Sequence, residues 1–184
     1  MKYRLLIKQL ALLILMLFIY RCTEEETTQP PDENLLINTS FENNGKFSSD
    51  GWSLPVQSDS STDVPSGGGS YSLLLEASQP PEIYAQLRVP VKTQFNNYKL
   101  TFWSKSSGVT SGIFGKAILS LIRSGSVIKE KSVLVDDIAW SSYSIADTFN
   151  VSSGDSFMVQ LSAGISQLFS GKTYFDLCKL QAVD

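Results

Sequence analysis

The chain has 184 residues, with 15 basic and 18 acidic side chains, 12 Gly, 7 Pro, 2 Cys and no His. At roughly 100–200 residues per domain this is one globular domain with short additions, and a hydrophobic fraction of 42% against 18% charged is enough to build a core. The lack of His excludes Ser-His-Asp and Cys-His catalysis and His-ligated zinc, two Cys exclude an all-cysteine zinc site, and a net charge of −3 argues against a nucleic-acid partner, which needs a basic stripe.

Residues 1–22 read as a targeting segment. Lys2, Arg4 and Lys8 precede an unbroken apolar run, Leu10 to Tyr20. That run has the length of a signal-peptide core and is short of the ~20 residues of a membrane span. Cys22 follows directly. The arrangement resembles a bacterial lipoprotein signal, in which that Cys becomes the lipidated first residue. Ile19 stands for the usual Leu, but Tyr20 and Arg21 depart from the pattern, which has a small residue before the Cys. An uncleaved N-terminal anchor is the alternative.

Removing Lys2, Arg4, Lys8 and Arg21 from the 15 basic side chains leaves 11 against 18 acidic ones, a net charge of −7. Residues 23–33 form an acidic linker containing Glu24, Glu25, Glu26 and Pro30-Pro31, with a reach of at most ~36–40 Å. The acidic triplet resembles the export signal by which some Bacteroidetes-type lipoproteins reach the cell surface; a solvated tether is the other reading.

Residues 34–184 show no helical period. Short runs rich in β-branched and aromatic residues predict strands at Leu35–Ile37, Trp52–Val56, Tyr71–Ala77, Ile83–Val89, Tyr98–Ser104, Ile113–Arg123, Val127–Val135, Trp140–Phe149, Phe157–Ala163 and Thr173–Val183. Turn signals separate them, among them Gly67-Gly68-Gly69, Ser106-Ser107-Gly108, Ser124-Gly125-Ser126 and Ser152-Ser153-Gly154-Asp155. About ten strands without helices predict an all-β antiparallel sandwich or jelly roll. Alternation turns Ala85, Leu87, Leu100, Phe102, Val159 and Leu161 inward. It turns Tyr84, Gln86, Arg88, Thr101, Trp103, Lys105, Met158, Gln160 and Ser162 outward.

Asn34-Leu35-Leu36-Ile37-Asn38-Thr39-Ser40-Phe41-Glu42, followed by Gly51-Trp52, resembles the opening of carbohydrate-binding modules of the galactose-binding-like jelly-roll fold. Ser70-Tyr71-Ser72-Leu73, Gln86 with Val89, Tyr98 to Lys105, and Trp140 with Tyr143 fit its successive segments, and Tyr174 to Leu180 its closing strand. The resemblance spans about Asn34 to Val183. It implies the jelly roll, and a structural calcium held by Glu42 and Asp176, with carbonyls near Asn38 and the Ser70 turn completing the shell. Leu177 stands where the closing strand usually carries a second Asp.

Sugar rings stack on aromatic planes while polar neighbours bond their hydroxyls. Trp103 and Tyr84 are the outward rings, with Gln86, Arg88 and Lys105 beside them and Gln160 and Arg123 as further cleft candidates by the resemblance. Trp52, Trp140 and Tyr143 are expected to pack structurally. Glycoside hydrolysis needs two carboxylates across a cleft. Glu76, Glu82, Asp136 and Asp137 sit in no recognisable motif, and Asp136-Asp137 read as a turn. The glycine run lacks the Lys-Ser/Thr and the helix of a phosphate loop and reads as a flexible turn. Cys178 reads as a buried free thiol. Together these predict a non-catalytic, membrane-anchored lipoprotein of the cell envelope that binds a glycan on a sheet face. The alternative is a structural or protein-interaction lipoprotein, with an envelope protein as partner and no sugar site.

Overall fold

The computed structural model describes residues 33–77, 82–108, 114–164 and 171–183. The targeting segment, Cys22 and the linker up to residue 32 lie outside the described residues. The described residues form eleven strands: β1 (Glu42–Asn43), β2 (Lys46–Phe47), β3 (Ser58–Ser61), β4 (Ser72–Ala77), β5 (Ile83–Pro90), β6 (Asn97–Ser107), β7 (Gly115–Arg123), β8 (Ser126–Val135), β9 (Ser141–Thr148), β10 (Ser156–Ala163) and β11 (Gly171–Ala182). A four-stranded sheet runs β5-β10-β7-β8 and a five-stranded sheet β3-β4-β11-β6-β9, all antiparallel. The fold is the expected antiparallel β-sandwich of jelly-roll type.

The inner faces carry the predicted alternation. Leu73, Leu75, Leu100, Phe102 and Phe175 of one sheet meet Ala85, Leu87, Leu119, Leu121, Val159 and Leu161 of the other, all buried. Phe157 closes one end of the core, its ring 4.5 Å from Tyr98 and 5.0 Å from Phe149. Trp52 is buried against Phe41 and donates Nε1 to the Asn38 carbonyl, the structural role expected of it.

Two expected strands are absent. Leu35–Ile37 is a bent segment that caps β11. A bulge between Asp176 and Lys179 breaks the β6–β11 ladder, and the Asn34 side chain satisfies the freed groups, donating to the Cys178 carbonyl and accepting from the Leu180 N–H. Trp52–Val56 keeps one isolated bridge, Ser53 to Gln86; Pro55 has no N–H to continue a ladder. Three strands were not expected: the paired two-residue strands β1 and β2, and β3. The β3 sequence Ser-Asp-Ser-Ser has no apolar alternation, because it is an edge strand paired only with β4.

Candidate functional site

Six of the seven candidate ligand residues fall on two opposite surfaces, and the seventh, Arg123, stands at the end of β7. Tyr84, Gln86 and Arg88 on β5 and Gln160 on β10 share the outer face of the four-stranded sheet. Trp103 and Lys105 on β6 lie on the outer face of the five-stranded sheet. Stacking of one ligand between Trp103 and Tyr84 is therefore corrected: the core separates the two rings.

On the four-stranded sheet the register builds a strip. Gln160 lies opposite Gln86 on one side and Ile118 on the other, and Met158 lies between Arg88 and Ser120. Ile118 is buried yet stands apart from the core cluster; with Met158 it makes an apolar floor beside two side-chain amides and a guanidinium. A cavity of about 430 Å³ opens here, lined by Gly51, Ser53, Gln86, Arg88 and Met158. A second, of about 620 Å³, shares Arg88 and continues along Pro90, Thr93, Gly154 and Ser156. Arg88 is exposed, and its Nε donates to Ser156 Oγ at 2.6 Å.

At the other end of β5, Glu82 accepts from Tyr84 Oη at 2.6 Å and from Ser162 Oγ, and pairs with Lys116 at 3.2 Å. Burial alone would raise the Glu82 carboxyl, but the bonds from Ser162, Tyr84 and Lys116 hold it below its ordinary value. Burial, with Glu82 alongside, pushes the Tyr84 phenol up to about 12. Arg123 is engaged within the protein. It grips the buried Asp155 with Nε and Nη2, at 2.9 and 2.8 Å, and donates to Asn150 O and Ser152 Oγ. It pins the β9–β10 loop.

On the five-stranded sheet, Lys105 pairs with Asp63 and lies over both the Trp140 ring, at 5.4 Å, and the Tyr174 ring, at 5.0 Å. Trp140 meets Tyr174 edge-on at 6.2 Å and donates Nε1 to Asp63 at 2.9 Å. Lys105 thus clasps the segment around Asp63 to the sheet. Trp103 is half-buried beside Ser142 of β9. Asp136 and Asp137 sit in the β8–β9 connection, where Asp137 accepts from Tyr143 Oη at 2.8 Å. Tyr143 stacks on Phe102 at 5.6 Å.

Glu42 and Asp176 meet at the glycine turn. Glu42 accepts from the Ser70 and Tyr71 N–H groups. A Cβ on Gly69 would stand 2.6 Å from Glu42 Oε2, and one on Gly68 would collide with Asp176 Oδ2 and with Pro65. The glycine run is thus a fitted cradle, with Gly67 and Gly69 at positive φ. The bulge, with Leu177 at φ 49, sets Asp176 under this turn, fully buried on what would otherwise be the outer side of the strand. Its Oδ1 accepts from the Leu177 N–H at 2.7 Å, while Oδ2 is buried without a donor. Burial, opposed by the Leu177 N–H and aided by the Glu42 charge, pushes Asp176 up to about 7. Asn38 Oδ1, on the neighbouring segment, is likewise buried without a donor.

A carboxylate oxygen stranded beside a second carboxylate fits a hard cation. Among the described residues no cluster of three or more His, Cys, Asp or Glu is present, so the rest of a shell would be carbonyls or water. Cys178 is buried with a free thiol that burial pushes well up.

Sequence reasoning missed Ile118 and the Trp140–Tyr174 pair. Ile118 reads as core until β10 is known to lie beside β7. Trp140 and Tyr174 are far apart in the chain and meet only through the β11-β6-β9 order.

No protein-family model matches the chain, and no curated protein matches it. Solved structures do. A family 61 carbohydrate-binding module in complex with β-1,4-galactotriose superposes with a TM-score of 0.56 at 17% identity, covering 82% of this chain and 99% of that one. A family 16 carbohydrate-binding module gives 0.57 at 20% identity, covering 80% and 99%. The family 22 xylan-binding domain from Paenibacillus barcinonensis Xyn10C gives 0.58 at 14% identity, covering 83% and 96%. At these identities the likeness is one of fold alone, the antiparallel β-sandwich that these modules share with this chain.

Proposed function

We propose that this protein is a non-catalytic glycan-binding lipoprotein of the bacterial cell envelope. Its ligand, an oligosaccharide or polysaccharide, lies across the outer face of the four-stranded sheet. The observation that carries this reading is the Gln86–Gln160 pair, set side by side by the β5–β10 register and flanked by Ile118 and Met158, next to Arg88 and an open cavity. Amides that donate and accept in one plane suit sugar hydroxyls, and the apolar floor suits the C–H face of a ring. The neighbouring carbohydrate-binding modules support the reading by shared fold.

Catalysis finds no support on this face. A general acid needs a raised carboxyl, and Glu82 is held low and tied by three partners. Calcium at Glu42 and Asp176, with backbone carbonyls, would have a structural role: neutralising two facing carboxylates and locking the glycine turn to β11. The lipid on Cys22 and the acidic linker would tether the domain at the outer membrane, facing the cell surface. That part rests on the sequence of residues 1–33. A hydroxyl-rich strip of Thr101, Ser142 and Ser144 beside Trp103 favours the second reading, a face that docks an envelope protein.

The test is a glycan-array screen of the purified protein in calcium and in chelator. Binding to one glycan class by the calcium-loaded protein is expected. A folded, calcium-loaded protein that binds nothing on the array overturns the reading and leaves the protein-docking face in its place.

A further inference from the structure

We propose that the glycan bound on the four-stranded sheet is anionic and that Arg88 reads its carboxylate. This rests on the glycan-binding reading and names the ligand class for the same site.

Arg88 is the cation of this sheet that no carboxylate serves. Among the described residues, the other basic side chains of its strands are all paired: Lys116 with Glu82, Arg123 with Asp155, and Lys129 and Lys131 with Asp147. Among the described residues Arg88 is bonded to the neutral Ser156 hydroxyl alone, through Nε. That bond fixes the course of the side chain along β10 and leaves the two terminal nitrogens without a protein acceptor among the described residues. A guanidinium held at Nε presents a planar fork that matches a carboxylate with two parallel hydrogen bonds. The fork stands where the two cavities of the face adjoin, so a chain lying along the strip passes it.

The acids nearby leave room for a second negative charge. Asp155, which also lines the larger cavity, is turned into Arg123, its side chain 2% exposed. Glu82 lies at the far end of β5, neutralised by Lys116. Glu130, at the end of the row Arg88–Met158–Ser120–Glu130, accepts from Ser120 Oγ at 3.1 Å, and Met158 stands between that pair and Arg88. Gln86 and Gln160 then bond hydroxyls of the unit whose carboxylate Arg88 holds.

The experiment uses the purified full chain in calcium, against an array of uronic-acid polymers, the same polymers after carboxyl reduction, neutral polymers and sulfated polymers, with titration calorimetry on each hit. The expected result is binding to a uronic-acid polymer that falls at least about tenfold on carboxyl reduction. Arg88→Gln reproduces that loss, and Arg88→Lys, which keeps the charge without the fork, lies between. Wild-type affinity falls as salt rises, and Arg88→Gln loses that dependence. Lys99→Gln, on the opposite sheet, binds as the wild type does, and Arg88→Gln keeps the wild-type melting curve, as befits an exposed side chain.

Tight binding to neutral polymers that is indifferent to carboxyl reduction and to Arg88→Gln overturns the proposal and leaves the glycan-binding reading intact. Binding confined to sulfated polymers overturns the carboxylate assignment. No binding to any polymer overturns both.

Discussion

Asp176→Asn separates the metal-free and metal-bound states of the carboxylate cradle. Without metal, burial and the Glu42 charge push Asp176 up to about 7. A carboxyl raised in this way favours folding only while protonated. Its contribution is whole below the ordinary value of 3.8 and is lost as pH rises toward 7. Each tenfold change in proton affinity is worth about 1.4 kcal/mol. With relaxation of the protein around the ionised group, about 2 kcal/mol of destabilisation remains at neutral pH. The amide removes the charge at nearly constant shape. Metal-free Asp176→Asn is therefore expected to melt at or above the wild type, by up to roughly 4–8 °C at ~2–4 °C per kcal/mol for a domain of this size. The calcium proposed for the cradle is expected to reverse the order. A cation present at ~1,000 times its Kd stabilises the wild type by about 4 kcal/mol and leaves the variant where it was. Thermal unfolding followed by circular dichroism, in millimolar calcium and in EDTA, reads both effects. A wild-type melt indifferent to calcium, or a variant that still gains from it, refutes the reasoning.

Two other predictions concern local geometry. Gly68→Ala drives a methyl into Asp176 Oδ2 and Pro65 and is expected to cost ~1–3 kcal/mol in urea unfolding. Gly125→Ala, with open space around it but φ +83, is expected to cost only about 1 kcal/mol; equal losses would mean that the cradle is not tightly fitted. Lys105 holds the Asp63 carboxyl below its ordinary 3.8, with Trp140 adding a second bond. The clasp is thus complete above that value and opens as pH falls through the lower folded value. Tryptophan fluorescence should shift in that acid range and lose the transition in Trp140→Phe. A transition that persists in the variant would place it elsewhere in the molecule.

Much of the sandwich was legible because half-buried strands leave a period-two trace: β5, β6 and β10 show the alternation predicted for them. What the trace lacks is the identity of the sheet. Parity states that Arg88 and Trp103 both point outward. The chain crosses the core between β5 and β6, so the two outward directions are opposite. The fate of Arg123 was hidden for a related reason, because Asp155 reaches it only through β7–β10 pairing. The Glu42–Asp176 meeting was readable only from the resemblance. Nothing in spacing announces a bulge at Leu177 or a glycine turn folded over it.

The claim that the four-stranded face is the ligand surface is tested most directly by titrating the glycan identified on the array into the wild type, Gln160→Ala and Trp103→Ala, each verified as folded. With Gln160 beside Ile118 and Trp103 on the far side of the core, Gln160→Ala should weaken binding about tenfold or more, the loss of one to two hydrogen bonds, and Trp103→Ala should leave it unchanged. The reverse outcome, with loss in Trp103→Ala and none in Gln160→Ala, would contradict the assignment and move the site to the five-stranded sheet.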